Sequence, residues 1–126
     1  MQKEIINTEK APSAIGPYSQ GTKIGNLVYT SGQLPINPAT GELVKDDVKE
    51  AAKQSLENVK AILESAGTSL DKVVKTLVFV KDLNDFAAIN EVYAQYFTEN
   101  YPARSCVQVA KLPMDAKLEI EAIALV

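Results

Sequence analysis

Residues 47–67 read DVKEAAKQSLENVKAILESAG, and four residues further on 72–80 read KVVKTLVFV. In the first stretch Val48, Ala52, Leu56, Val59, Ile62 or Leu63, and Ala66 recur at helical spacing; the second is β-branched and aromatic, and reads as a strand. Asp47 and Glu50 make an N-cap with its capping-box partner. Lys53 with Glu57, and Lys60 with Glu64, stand four apart on the wet face, and Gly67 is placed to end the helix. The spacing predicts a helix of roughly 19 residues, about 29 Å long. Strict alternation over 72–80 puts Val74, Thr76, Val78 and Val80 on one face and Val73, Lys75, Leu77 and Phe79 on the other.

Outward from this pair, 3–6 reads as a short strand, and 8–20 as a loop punctuated by Pro12, Gly16 and Pro17. Strands over 22–24 and 27–34 flank Gly25-Asn26, a hairpin signal. Downstream, Asp82 or Asn84 can cap a second helix carrying Phe86, Ile89, Val92 or Tyr93, and Tyr96 or Phe97, with Pro102 after its end. A strand over 104–110, a turn over 112–116 and a last strand over 117–126 complete the chain. The order predicts an α+β fold, a single sheet with two helices packed on one face. Because 72–80 and 117–126 are apolar on both faces, the uncovered face wants a partner subunit, hence a homo-oligomer.

The 126 residues (13.6 kDa, 46% apolar, 23% charged) fit one domain, 1–126. The longest unbroken apolar run, 122–126, is far short of the roughly 18 residues of a bilayer span. Residues 1–4 lack the apolar region of a secretion signal, and no prenylation Cys closes the chain, so the expected location is cytoplasmic. There is no His and a single Cys, Cys106. This excludes Ser-His-Asp and Cys-His catalysis, His/Cys zinc sites and intramolecular disulfides. Proton chemistry falls to Asp, Glu, Tyr, Lys or water. The net charge of −3, with lysines spread from Lys3 to Lys117, argues against a nucleic-acid footprint. Of 13 basic residues one is Arg, Arg104, and only Arg offers a planar fork for a carboxylate.

On the last strand Leu118, Ile120, Ala122 and Ala124 share one face, and Glu119, Glu121, Ile123 and Leu125 the other. The two carboxylates, roughly 6.5–7 Å apart, either orient a water beside a ligand or mark a solvated strand end. Arg104 either clamps a substrate carboxylate or pairs with Glu119, Glu121 or a neighbouring subunit. Cys106, pointing the same way, reads as a small buried hydrophobe rather than a nucleophile, because no base stands near it. Gly16-Pro17-Tyr18-Ser19-Gln20-Gly21 is a rigid turn presenting Tyr18, and no phosphate cradle. Thr30-Ser31-Gly32 places a hydroxyl beside a glycine, where backbone N–H groups can approach a ligand.

AIGPYSQG (14–21), TSGQLP (30–35), KTLVFVKDLNDFAAIN (75–90), PARSCVQVAKLP (102–113) and LEIEAIAL (118–125) together resemble the RidA/YjgF family of enamine/imine deaminases, nearly end to end. The resemblance implies a chorismate-mutase-like homotrimer whose three sheets form a central barrel with ligand clefts between subunits. It implies hydrolysis of 2-aminoacrylate, its tautomer 2-iminopropanoate, and 2-iminobutanoate to 2-oxo acids and ammonia, with no metal or cofactor required. By position, Arg104 would bind the substrate carboxylate and Glu119 would position the attacking water. Tyr18, Ser31, Gly32 and Cys106 would line the pocket, with Asn90 near the cleft. Many bacterial members have Glu and Arg where this chain has Gln108 and Lys111. Two competing expectations are a non-catalytic trimer that binds small carboxylates and regulates a partner, and an RNA-cleaving translation inhibitor, which the absent His and the acidic charge disfavour.

Overall fold

The computed structural model describes residues 2–126. Strands β1 (Glu4–Ile6), β2 (Gly21–Ile24) and β3 (Leu27–Thr30) lead into helix α1 (Val48–Ser65) and strand β4 (Val73–Val80); helix α2 (Phe86–Tyr96), β5 (Ala103–Gln108) and β6 (Leu118–Leu125) follow. All six strands form one sheet in the order β1-β2-β3-β6-β4-β5. Only β4 and β5 run parallel, and α2 is the crossover that joins them. Both helices lie on one face, with α1 packed on β6, β3 and α2.

Period-two alternation explains the core. Leu118, Ile120, Ala122 and Ala124 of β6 are buried beneath the helices with Val28 and Thr30 of β3, and Thr76, Val78 and Val80 of β4. In β4 the alternation holds from Thr76 onward but not before it. A bulge between Val73 and Lys75 shifts the register, so Val73 is buried and Val74 faces solvent, the reverse of strict alternation. The other face of the sheet carries Leu77, Phe79 and Ile123 half-buried, with Ile5, Ile24, Tyr29, Val107 and Leu125 exposed at its margins. An apolar face of this extent is uncovered in the single chain.

The N-cap is as expected, the Asp47 carboxylate accepting from the N–H groups of Lys49 (2.9 Å) and Glu50 (3.4 Å). Among the described residues, however, the Glu50 side chain makes no return bond to the Asp47 N–H, so the capping box is half made. At the other end Gly67 takes φ +88°. Neither Lys53–Glu57 nor Lys60–Glu64 closes into an ion pair among the described residues. Glu57 instead accepts a hydrogen bond from the Tyr96 hydroxyl at 2.7 Å, tying α1 to α2. Asp82 caps a short 3-10 turn (Leu83–Asp85) that precedes α2, rather than α2 itself.

Two long loops surround the β2–β3 hairpin, and each is held by one buried amide. Gln20 accepts from the Thr8 N–H (2.7 Å) and donates to the carbonyls of Thr8, Ala11 and Pro12 (3.0, 3.2 and 2.8 Å). Asn58, inside α1, donates to the carbonyls of Leu34 and Ile36 (3.1 and 2.9 Å). Loops carry backbone groups that cannot be left unpaired when buried, and these amides satisfy them. In contrast, the fully buried Ser55 hydroxyl has no partner among the described residues. Ser55→Ala is therefore expected to leave stability unchanged or raise it by about 1 kcal/mol, whereas Leu56→Ala, one residue on, loses about 3 kcal/mol. Urea unfolding at fixed protomer concentration measures both.

Candidate functional site

The single Arg of the chain stands on the edge strand β5, in register with Thr76 and so on the helix-covered face. Its guanidinium is half-buried, and three residues of α2 at positions i, i+4 and i+7 receive it. Asn90 Oδ1 accepts from Arg104 Nη1 at 2.7 Å. The ring centroids of Phe86 and Tyr93 lie 5.4 and 4.7 Å from Arg104 Cζ, within cation–π range. Among the described residues no carboxylate pairs with it, so the ion pair with Glu119 or Glu121 is not made within one chain. A partly desolvated cation without a counter-ion, its fork partly free, is suited to a ligand carboxylate. Cys106 lies two residues along on the same face. Burial pushes its thiol up, against a smaller opposite pull from Arg104, so the thiol is no ready nucleophile. Gln108 turns away: its Oε1 accepts from the Leu83 N–H at 2.9 Å, holding the turn before α2.

Glu119 belongs to the opposite face, in register with Phe79 on β4. It is half-buried, and burial first, then the neighbouring Glu121, holds its carboxyl above the usual glutamate range. Gly32 lies against it. Between the Tyr29–Ile123 and Gln33–Ile120 pairings the chain takes four steps on one side and three on the other. The extra residue makes a bulge at Ser31-Gly32, which ends β3 at Thr30 rather than at residue 34. The Thr30 hydroxyl fills the gap, accepting from the Ala122 N–H at 3.0 Å. A Cβ on Gly32 would fall 2.6 Å from Glu119 Cδ and 2.9 Å from Cγ, and closer still to Oε2. Only glycine permits this approach. Ser31 is pinned at both ends, its N–H on the Gln20 carbonyl (2.8 Å) and its hydroxyl on the Ser19 carbonyl (2.5 Å).

Tyr18 is about half exposed and, with Gly32, Leu34, Ile15 and Met114, lines a cavity of about 180 Å³. Met114 was not singled out by its sequence, yet it and Asp115 adopt left-handed backbone conformations (φ 59° and 55°), with Asp115 held by Lys81 at 2.9 Å. Such conformations in non-glycine residues need support from their surroundings.

The predicted site residues thus form two groups: Arg104, Asn90 and Cys106 on the helix side, and Tyr18, Ser31, Gly32 and Glu119 on the open side and its rim. Arg104 and Glu119 lie two strands and three residues apart in register, on the order of 14 Å between Cα atoms, and on opposite faces. One small molecule cannot touch both within one chain. Phe86 and Tyr93, read from the sequence as ordinary helix residues, support Arg104; their spacing around Asn90 was the available signal.

Residues 8–126 match the family model described as endoribonuclease L-PSP. An Escherichia coli K12 protein named 2-iminobutanoate/2-iminopropanoate deaminase is 61% identical over 124 residues, 96% of each chain. A RutC family protein of Haemophilus influenzae is 63% identical over 128 residues, 98% of each. The crystal structure of E. coli TdcF with bound serine superposes with a TM-score of 0.94 at 58% identity, covering 98% of both chains. With that match running from the first loop to the last strand, the chain belongs to the endoribonuclease L-PSP family, the RidA/YjgF family whose motifs its sequence carries.

Proposed function

We propose that this chain hydrolyses reactive 2-imino acids and their enamine tautomers (2-aminoacrylate/2-iminopropanoate and 2-iminobutanoate) to 2-oxo acids and ammonia. The observation that carries this is the Arg104 guanidinium, paired with no carboxylate among the described residues, half-buried and braced by Asn90 and two aromatic rings. Relatives about 60% identical named as deaminases support it, and serine bound to TdcF is a small amino acid with the carboxylate that such a fork fits.

In this mechanism Arg104 receives the substrate carboxylate, placing the electrophilic imine carbon near an ordered water. Glu119 accepts a proton as that water attacks, a contribution typically of ~10²–10⁴-fold. Glu119 returns that proton to the nitrogen, and as the C–N bond breaks the adduct's hydroxyl proton follows to the leaving amine through the same carboxylate, so that ammonia departs, the 2-oxo acid remains and Glu119 is again ionised. Tyr18, Ser31, Gly32 and Cys106 line the cleft, and Asn90 acts on the carboxylate through Arg104. Because the two groups of residues occupy opposite faces of one sheet, a complete cleft takes its Arg104 from one copy and its Glu119 from another. A homotrimer of single RidA-like domains, 1–126, with the open sheet faces turned inward as a barrel, meets this need and covers Tyr29, Val107 and Leu125. No described helix is long and apolar enough to cross a membrane, and the lone free thiol suits the reducing cytoplasm.

With 2-iminopropanoate generated in situ by an amino-acid oxidase, the wild type is expected to accelerate loss of the imine. Glu119→Gln should lower kcat by ~10²-fold or more, and Arg104→Lys should lower kcat/KM by roughly tenfold or more, because the fork is lost while the charge stays. Binding of 2-oxobutanoate with no turnover would make the protein a binding module instead. Light scattering should give three times 13.6 kDa; a monomer overturns the shared cleft.

The pH profile has a defined sign. A base must be ionised, so activity falls as pH drops through the Glu119 pKa, and that acid limb should lie above the usual glutamate value of about 4.3. Glu121→Gln removes the like charge and should move the limb toward lower pH.

A further inference from the structure

Arg104 reaches its site on a long side chain with many rotamers, and the Asn90 hydrogen bond fixes only one of its N–H groups. A fork held at one point still turns about that bond. What stops the turning is a face contact, and the nearer ring is Tyr93, at 4.7 Å. That ring is itself immobilised. Tyr93 is only 7% exposed, its ring lies 4.6 Å from that of Phe97, and its hydroxyl is 2.8 Å from Thr76 Oγ1. Thr76 is fully buried on β4, and its backbone is the register partner of Arg104. The links therefore close on themselves: the Arg104 backbone pairs with Thr76, the Thr76 side chain holds Tyr93, and Tyr93 carries the Arg104 guanidinium.

We propose that Tyr93, anchored by Thr76, is a positioning residue that sets the plane of the Arg104 guanidinium and thereby the face of the imine presented to water. This rests on the carboxylate-clamp role proposed above for Arg104. The chemistry gives the plane its importance. A carboxylate held by two parallel N–H groups lies coplanar with the guanidinium. In a 2-imino acid the carboxylate is conjugated with the C=N bond, so the imine carbon shares that plane and water must approach perpendicular to it. Tilting the fork leaves the charge attraction in place but misdirects the attack. The loss should fall on kcat more than on carboxylate affinity, the mark of an interaction needed in the transition state.

The experiment compares Tyr93→Leu, Tyr93→Phe, Thr76→Val and the double variant Tyr93→Phe/Thr76→Val. Each is measured as kcat per binding site, with sites counted by calorimetric titration with 2-oxobutanoate, so that partial unfolding does not enter the rate. Tyr93→Leu is expected to lower kcat per site roughly tenfold while the 2-oxobutanoate Kd changes less than about threefold. Tyr93→Phe and Thr76→Val should each show a smaller loss, and the double variant no more than the larger single, because one hydrogen bond is removed in all three. If Tyr93→Leu does not fold, the cycle of the other three decides alone. Kcat per site within about twofold of wild type in Tyr93→Leu, or losses that multiply independently in the cycle, overturns the proposal. Arg104→Ala separates the two levels. If it binds and turns over normally, the clamp role fails and this proposal with it; if it loses both while the Tyr93 variants behave as wild type, only the positioning role fails.

Discussion

The register of β6 is the constraint on which the rest depends. Its eight residues lie between β3 and β4, and their alternation sends four aliphatic side chains under the helices and two carboxylates to the opposite face. A slip of one residue would exchange the two sets, burying Glu119 and Glu121 among Leu56, Val59 and Ile62 at a cost no packing in a domain this size could offset. That penalty holds the strand in place. From it follow the seat of α1, the pairing of Gln33 with Ile120 and the bulge that lays Gly32 over Glu119.

Two groups in this fold are kept in electrostatic states that a maximally stable protein would avoid. Arg104 is a half-buried cation without a counter-ion among the described residues, sustained by aromatic faces and one amide oxygen. Glu119 is a half-buried carboxylate beside another of the same sign. Each costs folding free energy, which a ligand or partner group of opposite character would return. Departures from local rules of this kind gather where a protein has work to do.

Much of this was legible in the chain itself. The period of 47–67, the alternation of 118–125 and the solitary Arg104 each rest on local chemistry that neighbouring residues do not override. What escaped has a common cause. The bulges at Val73–Lys75 and Ser31–Gly32 insert single residues, and alternation has no means of announcing where its phase breaks. Glu57 bonds to Tyr96 rather than Lys53 because a neighbouring helix offers a hydroxyl that a helix considered alone does not have. Phe86 and Tyr93 read as ordinary helix residues because an aromatic ring against a cation and one against a leucine have the same sequence spacing. In the function proposed above, the two halves of the site come from facing surfaces of different copies, which no spacing along one chain encodes.

That separation also has a consequence for heredity. In the proposed homotrimer, a protomer with its cation on one side of the sheet and its carboxylate on the other contributes to two clefts and completes neither. When copies damaged at Arg104 assemble with copies damaged at Glu119, some interfaces unite the two intact halves and others the two damaged ones. Two alleles that are each null alone should therefore complement when expressed together, with a fraction of clefts restored that follows from random mixing.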